Sequence, residues 1–390
     1  MADVTTLAEA CRISTGKLDA NAAVHGGSYP FFTCAETPSR IDSYAYDGCV
    51  ILVAGNNAQG RFHVSRYDGK FNAYQRTYIL EPRSGFERDY LYYSLKLALT
   101  GLRGSAQGSQ TKFLTMPILT SLAVAKRNLT EQRRAVAILS ALDAKIDLNH
   151  RINAELEALA KTIYDYWFVQ FDFPDAHGRP YKSSGGAMVW NDTLKREIPA
   201  GWEAAPLSRL VEEVKDGVTP NAFDTTTPYI GLEHIARKSI VLSAWATADR
   251  ATSNKITFRK GDILFGKIRP YFHKVALAMM EGIVSTDAIV MRPRQRGLAA
   301  FALETIFSDR FVETATASST GSKMPRADWK VMRNYGVAIP GKSSSVADGY
   351  QKLFDGIASK IENNVRQNRE LTQLRDWLLP LLMNGQVRVA

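Results

Sequence analysis

Residues 145–159 read KIDLNHRINAELEAL and residues 360–374 read KIENNVRQNRELTQL. Laid over one another at a shift of 215 residues, the two stretches share Lys145/Lys360, Ile146/Ile361, Asn149/Asn364, Arg151/Arg366, Asn153/Asn368, Glu155/Glu370, Leu156/Leu371 and Leu159/Leu374. Self-similarity at a fixed shift means that one supersecondary unit occurs twice. In the first copy Leu142, Ile146, Asn149, Asn153, Leu156, Ala160, Ile163 and Trp167 recur at alternating steps of four and three. That spacing predicts a coiled-coil seam. The second copy offers Ile357, Ile361, Asn364, Asn368, Leu371, Arg375, Leu378 and Leu382, with asparagines at the same two steps. Polar seam residues cost stability and fix alignment, so Asn149, Asn153, Asn364 and Asn368 are expected to set the register of one helix on the other. The competing reading is an unrelated helical hairpin with solvated asparagines.

Working outward, the same shift lays SLAVAKRN (121–128) over GVAIPGKS (336–343). Weaker echoes lie upstream: Tyr78–Pro82 resembles Ile289–Pro293, and Gly48–Leu52 resembles Gly261–Phe265. The chain therefore reads as block, helix, linker, block, helix. Residues 171–197, with FDFPDAHGRPYKSSGG, are rich in turn formers and lack periodicity, which marks the linker. Both blocks mix short apolar strands (CVILVAG, RTYILEP) with short helical stretches and polar loops, so the fold class is α+β.

GVAIPGKS also satisfies the phosphate-loop pattern G-x-x-x-x-G-K-[ST]. A phosphate loop needs backbone N–H groups turned toward the phosphates between a strand and a helix. Here Val337, Ala338 and Ile339 read as a strand inside the supposed loop, and Pro340 removes a donor. The match is a strand end running into a helix.

With 390 residues and 45% hydrophobic content the chain can bury ample core. No apolar run reaches the ~20 residues of a membrane span, and the start lacks a signal-peptide pattern, so a soluble cytoplasmic protein is expected. Cys11, Cys34 and Cys49 show no metal or disulfide spacing, and the six histidines show no zinc motif. The net charge of +10 is split: +4 over 1–130, −1 over 131–170, 0 over 171–197, +5 over 198–340 and +2 over 341–390. Two separate basic blocks suit a polyanion touched in two places. GLRGSAQGSQTK (101–112) and SSTGSKMPR (318–326) stand at comparable distances before the repeated strand. Hydroxyl and amide side chains beside Arg and Lys are the groups that contact phosphates and base edges.

Residues 129–173, residues 360–387, GDILFGKIRPYFHKV (261–275), STDAIVMRP and TGSKMPRADWKVMRNYGVAIP resemble the DNA-sequence specificity subunit of type I restriction-modification systems. The resemblance spans nearly the whole chain. It implies two pseudo-symmetric mixed α/β target recognition domains, at 1–130 and 198–340, joined by two long helices packed as an antiparallel coiled coil, a central spacer helix at 131–170 and a distal one at 341–390, with the linker at 171–197. It implies further that each recognition domain reads half of a bipartite site in double-stranded DNA, and that the chain carries no catalytic residue, metal or cofactor. Two methyltransferase subunits would supply S-adenosylmethionine chemistry and motor-nuclease subunits would supply ATP and Mg chemistry. Neither a [DN]-P-P-[YFW] adenine-methylation motif nor a glycine-rich cofactor loop stands in the chain. DNA contacts are expected from Lys267, Arg269, Lys274, Ser322, Lys323 and Arg326 in the second block and from Asn56, Asn57, Gln59, Arg61, Gln110 and Lys112 in the first. Tyr29 and Tyr229 stack on DNA or pack, packing being favoured. Trp167, Phe168, Trp377, Leu378 and Leu382 are expected to dock the methyltransferase. The first block departs from the family pattern, because Gly48-Cys-Val-Ile-Leu-Val-Ala-Gly replaces the Gly-Asp-Ile-Leu-Phe-Gly-Lys form. Alternatives are a related type IIB-like specificity subunit, a nucleotide-dependent nuclease subunit, and a coiled-coil adaptor without a DNA role.

Overall fold

The structure, a computed structural model, describes residues 4–56, 62–105, 113–219, 222–341 and 345–387. It divides into two compact units, residues 1–146 with 369–390, and residues 147–368. None of the described helices is long and apolar enough to cross a membrane.

The first unit runs β1 (Val4–Thr6), α1 (Leu7–Ala10), β2 (Cys11–Thr15), β3 (Tyr29–Phe32), β4 (Ser39–Ile41), β5 (Tyr46–Ala54), β6 (Val64–Ala73), β7 (Thr77–Pro82), α2 (Arg88–Ser105), α3 (Met116–Thr120), β8 (Ala123–Ala125) and the first half of α4 (Leu129–Tyr164). Six strands form one sheet in the order β2-β7-β5-β6-β3-β4, with β3 and β6 parallel. The apolar run of β5 is central, and its alternate residues go to opposite faces. Ile51 and Val53 pack with Leu91 and Leu95 of α2, while Val50 and Leu52 pack with Phe32 and Phe71. Burial on both faces is why this strand reads as a continuous apolar run rather than an alternating one. β1 pairs antiparallel with β8, which leads directly into α4.

The second unit takes the other half of α4 and continues through β9 (Met188–Asn191), β10 (Arg196–Pro199), β11 (Glu203–Pro206), β12 (Val211–Val214), β13 (Gly217–Val218), β14 (Pro228–Ile230), β15 (Ala246–Thr247), β16 (Lys255–Phe258), β17 (Ile263–Gly266), β18 (Val275–Leu277), β19 (Gly282–Ser285) and β20 (Ala288–Pro293). Then follow α5 (Ala299–Phe307), α6 (Asp309–Ala317), α7 (Trp329–Met332), β21 (Gly336–Ile339) and α8 (Val346–Met383). The sheets are ordered β12-β20-β17-β18 and β13-β16-β19-β14-β15. As in the first unit, the strand after the opening pair neighbours the last long strand (β2 with β7, β12 with β20), and a parallel pair adjoins a short hairpin (β3-β4, β14-β15). β11 pairs antiparallel with β21, which leads into α8 just as β8 leads into α4. The weak sequence echoes thus fall on adjacent central strands, β5 and β7 in one unit, β17 and β20 in the other.

The GVAIPGKS stretch begins as β21, with Gly336 opposite Pro206 and Ile339 opposite Glu203. A strand committed to an antiparallel partner leaves no backbone N–H cradle in its first four positions. Lys342 and Ser343 lie outside the described residues.

Residues 171–197, read as a linker, are folded. β9 and β10 make a hairpin, and Phe173 stacks between Tyr181 (4.6 Å) and Trp202 (5.4 Å). Turn-former density concealed an aromatic core that no period-2 or period-3.6 pattern reveals. α4 ends in a π-turn, Asp165–Val169, after which Phe171 adopts φ of 67°.

Inside the second unit the two long helices meet with opposite direction. Asn149 Nδ2 donates to Asn368 Oδ1 (2.8 Å) and to Gln367 Oε1 (2.7 Å), and Asn364 Nδ2 donates to Asn153 Oδ1 (2.8 Å). All four asparagines are buried. A buried amide without a partner costs about 1–3 kcal/mol, so a slipped alignment that separates these pairs is strongly disfavoured. Leu156, Ile361 and Val365 extend the same contact as an apolar cluster. In the first unit Asp143 of α4 and Arg375 of α8 pair at 2.9 Å, and Arg127 caps the end of α8 by donating to the Leu382 and Met383 carbonyls.

Candidate nucleic-acid interface

β17 ends at Gly266 and the chain continues along the loop that precedes α7. Lys267 N–H donates to the Asp287 carbonyl (2.9 Å), Ala327 N–H donates to the Lys267 carbonyl (2.9 Å), and Arg269 N–H donates to the Pro325 carbonyl (2.7 Å). The loop itself is closed by reciprocal bonds between Thr320 and Arg326, and Gly321 takes φ of 102°, a conformation open to glycine. Two segments 50 or more residues apart in sequence are thereby clamped together. The clamp brings Lys267, Arg269, Ser322, Lys323 and Arg326 into one place, with Ser322, Lys323 and Arg326 exposed.

A groove of about 900 Å³ opens beside the clamp, lined by Lys267 and Arg326 together with Lys215, Arg294, Lys330 and Arg333. Glu213 neutralises Lys215 at 3.0 Å and Glu212 neutralises Arg294 at 3.0 Å. Among the described residues no carboxylate pairs with Lys267, Arg326, Lys330 or Arg333. These four cations face one further carboxylate, that of Asp328, which caps α7 by accepting from the Lys330 N–H (2.9 Å), so the concavity keeps a net positive charge that raises the local potential for a polyanion. Lys330 and Arg333 carry no sequence signal beyond charge, since only the fold turns α7 toward the groove.

Arg269 and His273 both adopt left-handed backbone, φ 50° and 51°, on either side of the Pro270–Phe272 turn. Each such residue costs on the order of 1 kcal/mol and persists where its surroundings hold it. His273 Nε2 lies 2.8 Å from the Phe307 carbonyl, and burial depresses the basicity of this ring. Arg237 stacks on the Phe272 ring at 3.9 Å. The turn so braced presents Tyr271, 51% exposed, beside the clamp. It carries neither a charge nor an amide, so nothing in its local sequence marks it as a contact residue. Arg269 itself is only half exposed, and its Nε is buried without a partner. Lys274 corrects the sequence expectation: its ammonium donates to the Leu232 carbonyl, and burial, then Arg237, depress its basicity. A lysine so engaged braces the sheet edge rather than reaching outward.

In the first unit Asn56 stands at the end of β5, half-buried and bridged to Phe113, with Leu114 N–H bonded to the Gly55 carbonyl (2.9 Å). Asn57, Gln59, Arg61, Gln110 and Lys112 lie outside the described residues. The bridge nevertheless joins the flanks of both stretches that contain them. Phe113 is 52% exposed, with Arg76 5.9 Å from its ring. Tyr29, half-buried, packs on Tyr44 (5.0 Å), and Tyr229, also half-buried, on His234 (6.2 Å).

The docking expectation divides. Phe168 (3% exposed) and Leu382 (1%) are core residues and offer no surface, because each sits where a helix end meets its own unit. Trp167 and Leu378 are half-buried, whereas Trp377 is 63% exposed. Among the described residues no group of three His, Cys, Asp or Glu side chains converges as a metal centre.

The family profile "Type I restriction modification DNA specificity domain" matches residues 2–158. The chain is 28% identical over 388 residues to the type I restriction enzyme EcoDI specificity subunit of Escherichia coli, covering 94% of this chain and 85% of that protein. It is 23% identical over 326 residues to the MjaIX specificity subunit of Methanocaldococcus jannaschii, covering 79% and 71%. The fold is shared with the crystal structure of a type I restriction-modification S subunit from M. genitalium, at a TM-score of 0.56 and 16% identity, covering 98% of this chain and 96% of that one. With the specificity-domain profile matched at residues 2–158, the chain is similar over nearly its whole length to type I restriction-modification specificity subunits.

Proposed function

We propose that this chain is a specificity subunit that reads a bipartite site in double-stranded DNA, one half by each of two pseudo-symmetric recognition domains, 1–130 and 198–340. The paired asparagines support reading α4 and α8 as an antiparallel coiled coil that sets the gap. The observation that carries the DNA role is the convergence of Lys267 and Arg326 with Lys330 and Arg333 around one groove, next to the exposed Ser322 and Lys323 of the clamped loop, with Glu212 and Glu213 taken up by Arg294 and Lys215. The repeated element order supports a second, equivalent surface in the first unit, beside Asn56 and Phe113. The chain contributes recognition and no catalytic group. Two methyltransferase subunits bring S-adenosylmethionine chemistry, and motor-nuclease subunits bring ATP and Mg, in a cytoplasmic complex. Trp377 is the exposed aromatic best placed for such a partner.

Replacing 198–340 by the second recognition domain of another specificity subunit is expected to change one half of the methylated sequence and leave the other intact. Methylome sequencing of a host carrying the chimera checks this, and a change in both halves or in neither overturns independent reading. Lys323→Ala and Arg326→Ala are each expected to weaken DNA binding and flatten its log–log salt dependence by about 0.9 if each side chain neutralises one phosphate. An unchanged slope in both variants removes the groove from the interface.

A further inference from the structure

A second cavity of the 147–368 unit, about 430 Å³, lies between the end of α4, the β9–β10 hairpin and the start of α6. Arg196, Arg310, Tyr335, Ser308 and Thr193 line it, along with Lys161. Of the acids on its wall, Asp165 is paired with Lys161, whereas Asp309 lies 3.4 Å from the His273 ring and is largely exposed to solvent. Among the described residues neither Arg196 nor Arg310 has a carboxylate partner. Arg196 is backed by the Phe171 ring at 4.9 Å, which fixes the plane of its guanidinium from behind. Burial and then Arg310 depress the basicity of Arg196, and both cations act on the Tyr335 phenol, whose acidity burial lowers. Arg310 also stands in the first turn of α6, where the helix dipole disfavours a cation.

Two like charges directed at one partly desolvated space repel, and their fork geometry suits a tetrahedral oxyanion that both can clasp. We propose that this cavity is an oxyanion site that takes a phosphate group through Arg196 and Arg310, with the Tyr335 hydroxyl as a further donor. The phosphate is either free or carried on the DNA backbone, and the test separates the two.

The intact chain is titrated with sodium phosphate against sodium chloride at matched ionic strength, by calorimetry and by thermal melting. Phosphate is expected to bind and to raise the melting temperature beyond the chloride control. Arg310 is exposed, so Arg310→Gln leaves the packing intact, and it is expected to weaken phosphate binding by about tenfold or more, the effect of losing one charge-assisted hydrogen bond. Arg196→Lys, which keeps charge and loses the fork, is expected to do the same. In the assembled complex, a fall of about 0.9 in the salt slope of DNA binding for Arg310→Gln assigns the phosphate to DNA. An unchanged slope alongside lost phosphate binding assigns it to a free ligand. Wild-type protein that responds to phosphate no more than to chloride, with an unchanged slope in Arg310→Gln, overturns the site. The phosphate titration stands apart from the DNA-reading role, so failure of one does not imply failure of the other.

Discussion

Inserting one heptad between Ile146 and Asp147, and a second between Asn368 and Arg369, is expected to yield an active complex whose methylated site keeps both halves and has a gap about three base pairs wider. Seven residues of helix rise roughly 10 Å, close to three base pairs at ~3.4 Å each, and return the seam to nearly the same face with a drift of only ~20°. The positions follow from the helix contacts. Asn149 meets Asn368 and Asn153 meets Asn364, so the residue opposite position 147 lies just beyond 368. Inserted there, the heptads leave the asparagine pairs on one side and the Asp143–Arg375 pair on the other. Sequence equivalence alone would place the second insertion between Ile361 and Asn364, where it would strand both asparagine pairs. Three base pairs also turn the duplex by roughly 100°, so the widened site is expected to bind more weakly than the parental one. Methylome sequencing of the doubly extended variant supplies the measurement. An active variant that still methylates the parental spacing would show that these helices do not set the gap.

Arg375→Ala is expected to destabilise the first unit by about 3 kcal/mol, because it removes the main counter-charge of a buried carboxylate. Asp143 accepts from Tyr93 Oη (2.6 Å) and from Arg375 Nη1 (2.9 Å), with Arg66 at 4.0 Å, and its side chain is 11% exposed. Burial pushes this carboxyl up, but the bonds from Tyr93 and Arg375 prevail and hold it below the usual carboxylate range. The folded state therefore binds the proton less readily than the unfolded chain. Stability from this group is complete above the unfolded pKa, near 4, and is lost as pH falls through the lower folded value. The Arg375→Ala variant should accordingly lose less stability than the parent on acidification over that window. Replacing Asp143 and Arg375 together by leucine should recover most of the loss, since an apolar pair of similar volume leaves no charge buried alone. Hydrogen exchange of the α2 amides against pH reads the first unit without requiring the whole chain to unfold in one step. A loss below about 0.5 kcal/mol would show the pair to be merely a surface contact.

The repeated stretch was legible in the sequence, because identical residues at a fixed shift survive any uncertainty about local structure. So were the seam positions, the strand inside GVAIPGKS and the central strands, since apolar spacing reports directly on burial. The partner of each seam residue was not legible. Periodicity gives the buried face of a helix but not the direction or offset of what lies against it, and only the amide pairs settle that Asn149 faces Asn368. Arg375 interrupts its seam in the sequence and looks like a flaw. The fold supplies Asp143 and Tyr93 from elsewhere in the chain to answer it. Residues 171–197 look like a linker by composition, yet Phe173, Tyr181 and Trp202 stack there, because aromatic packing across a loop follows no period. In the basic cluster the sequence determined which residue types could meet a polyanion. The tertiary clamp between residues 267–269 and 325–327 decided which of them converge, turning Lys274 inward onto the Leu232 carbonyl and bringing Lys330, Arg333 and Tyr271 to positions that their local sequence does not mark.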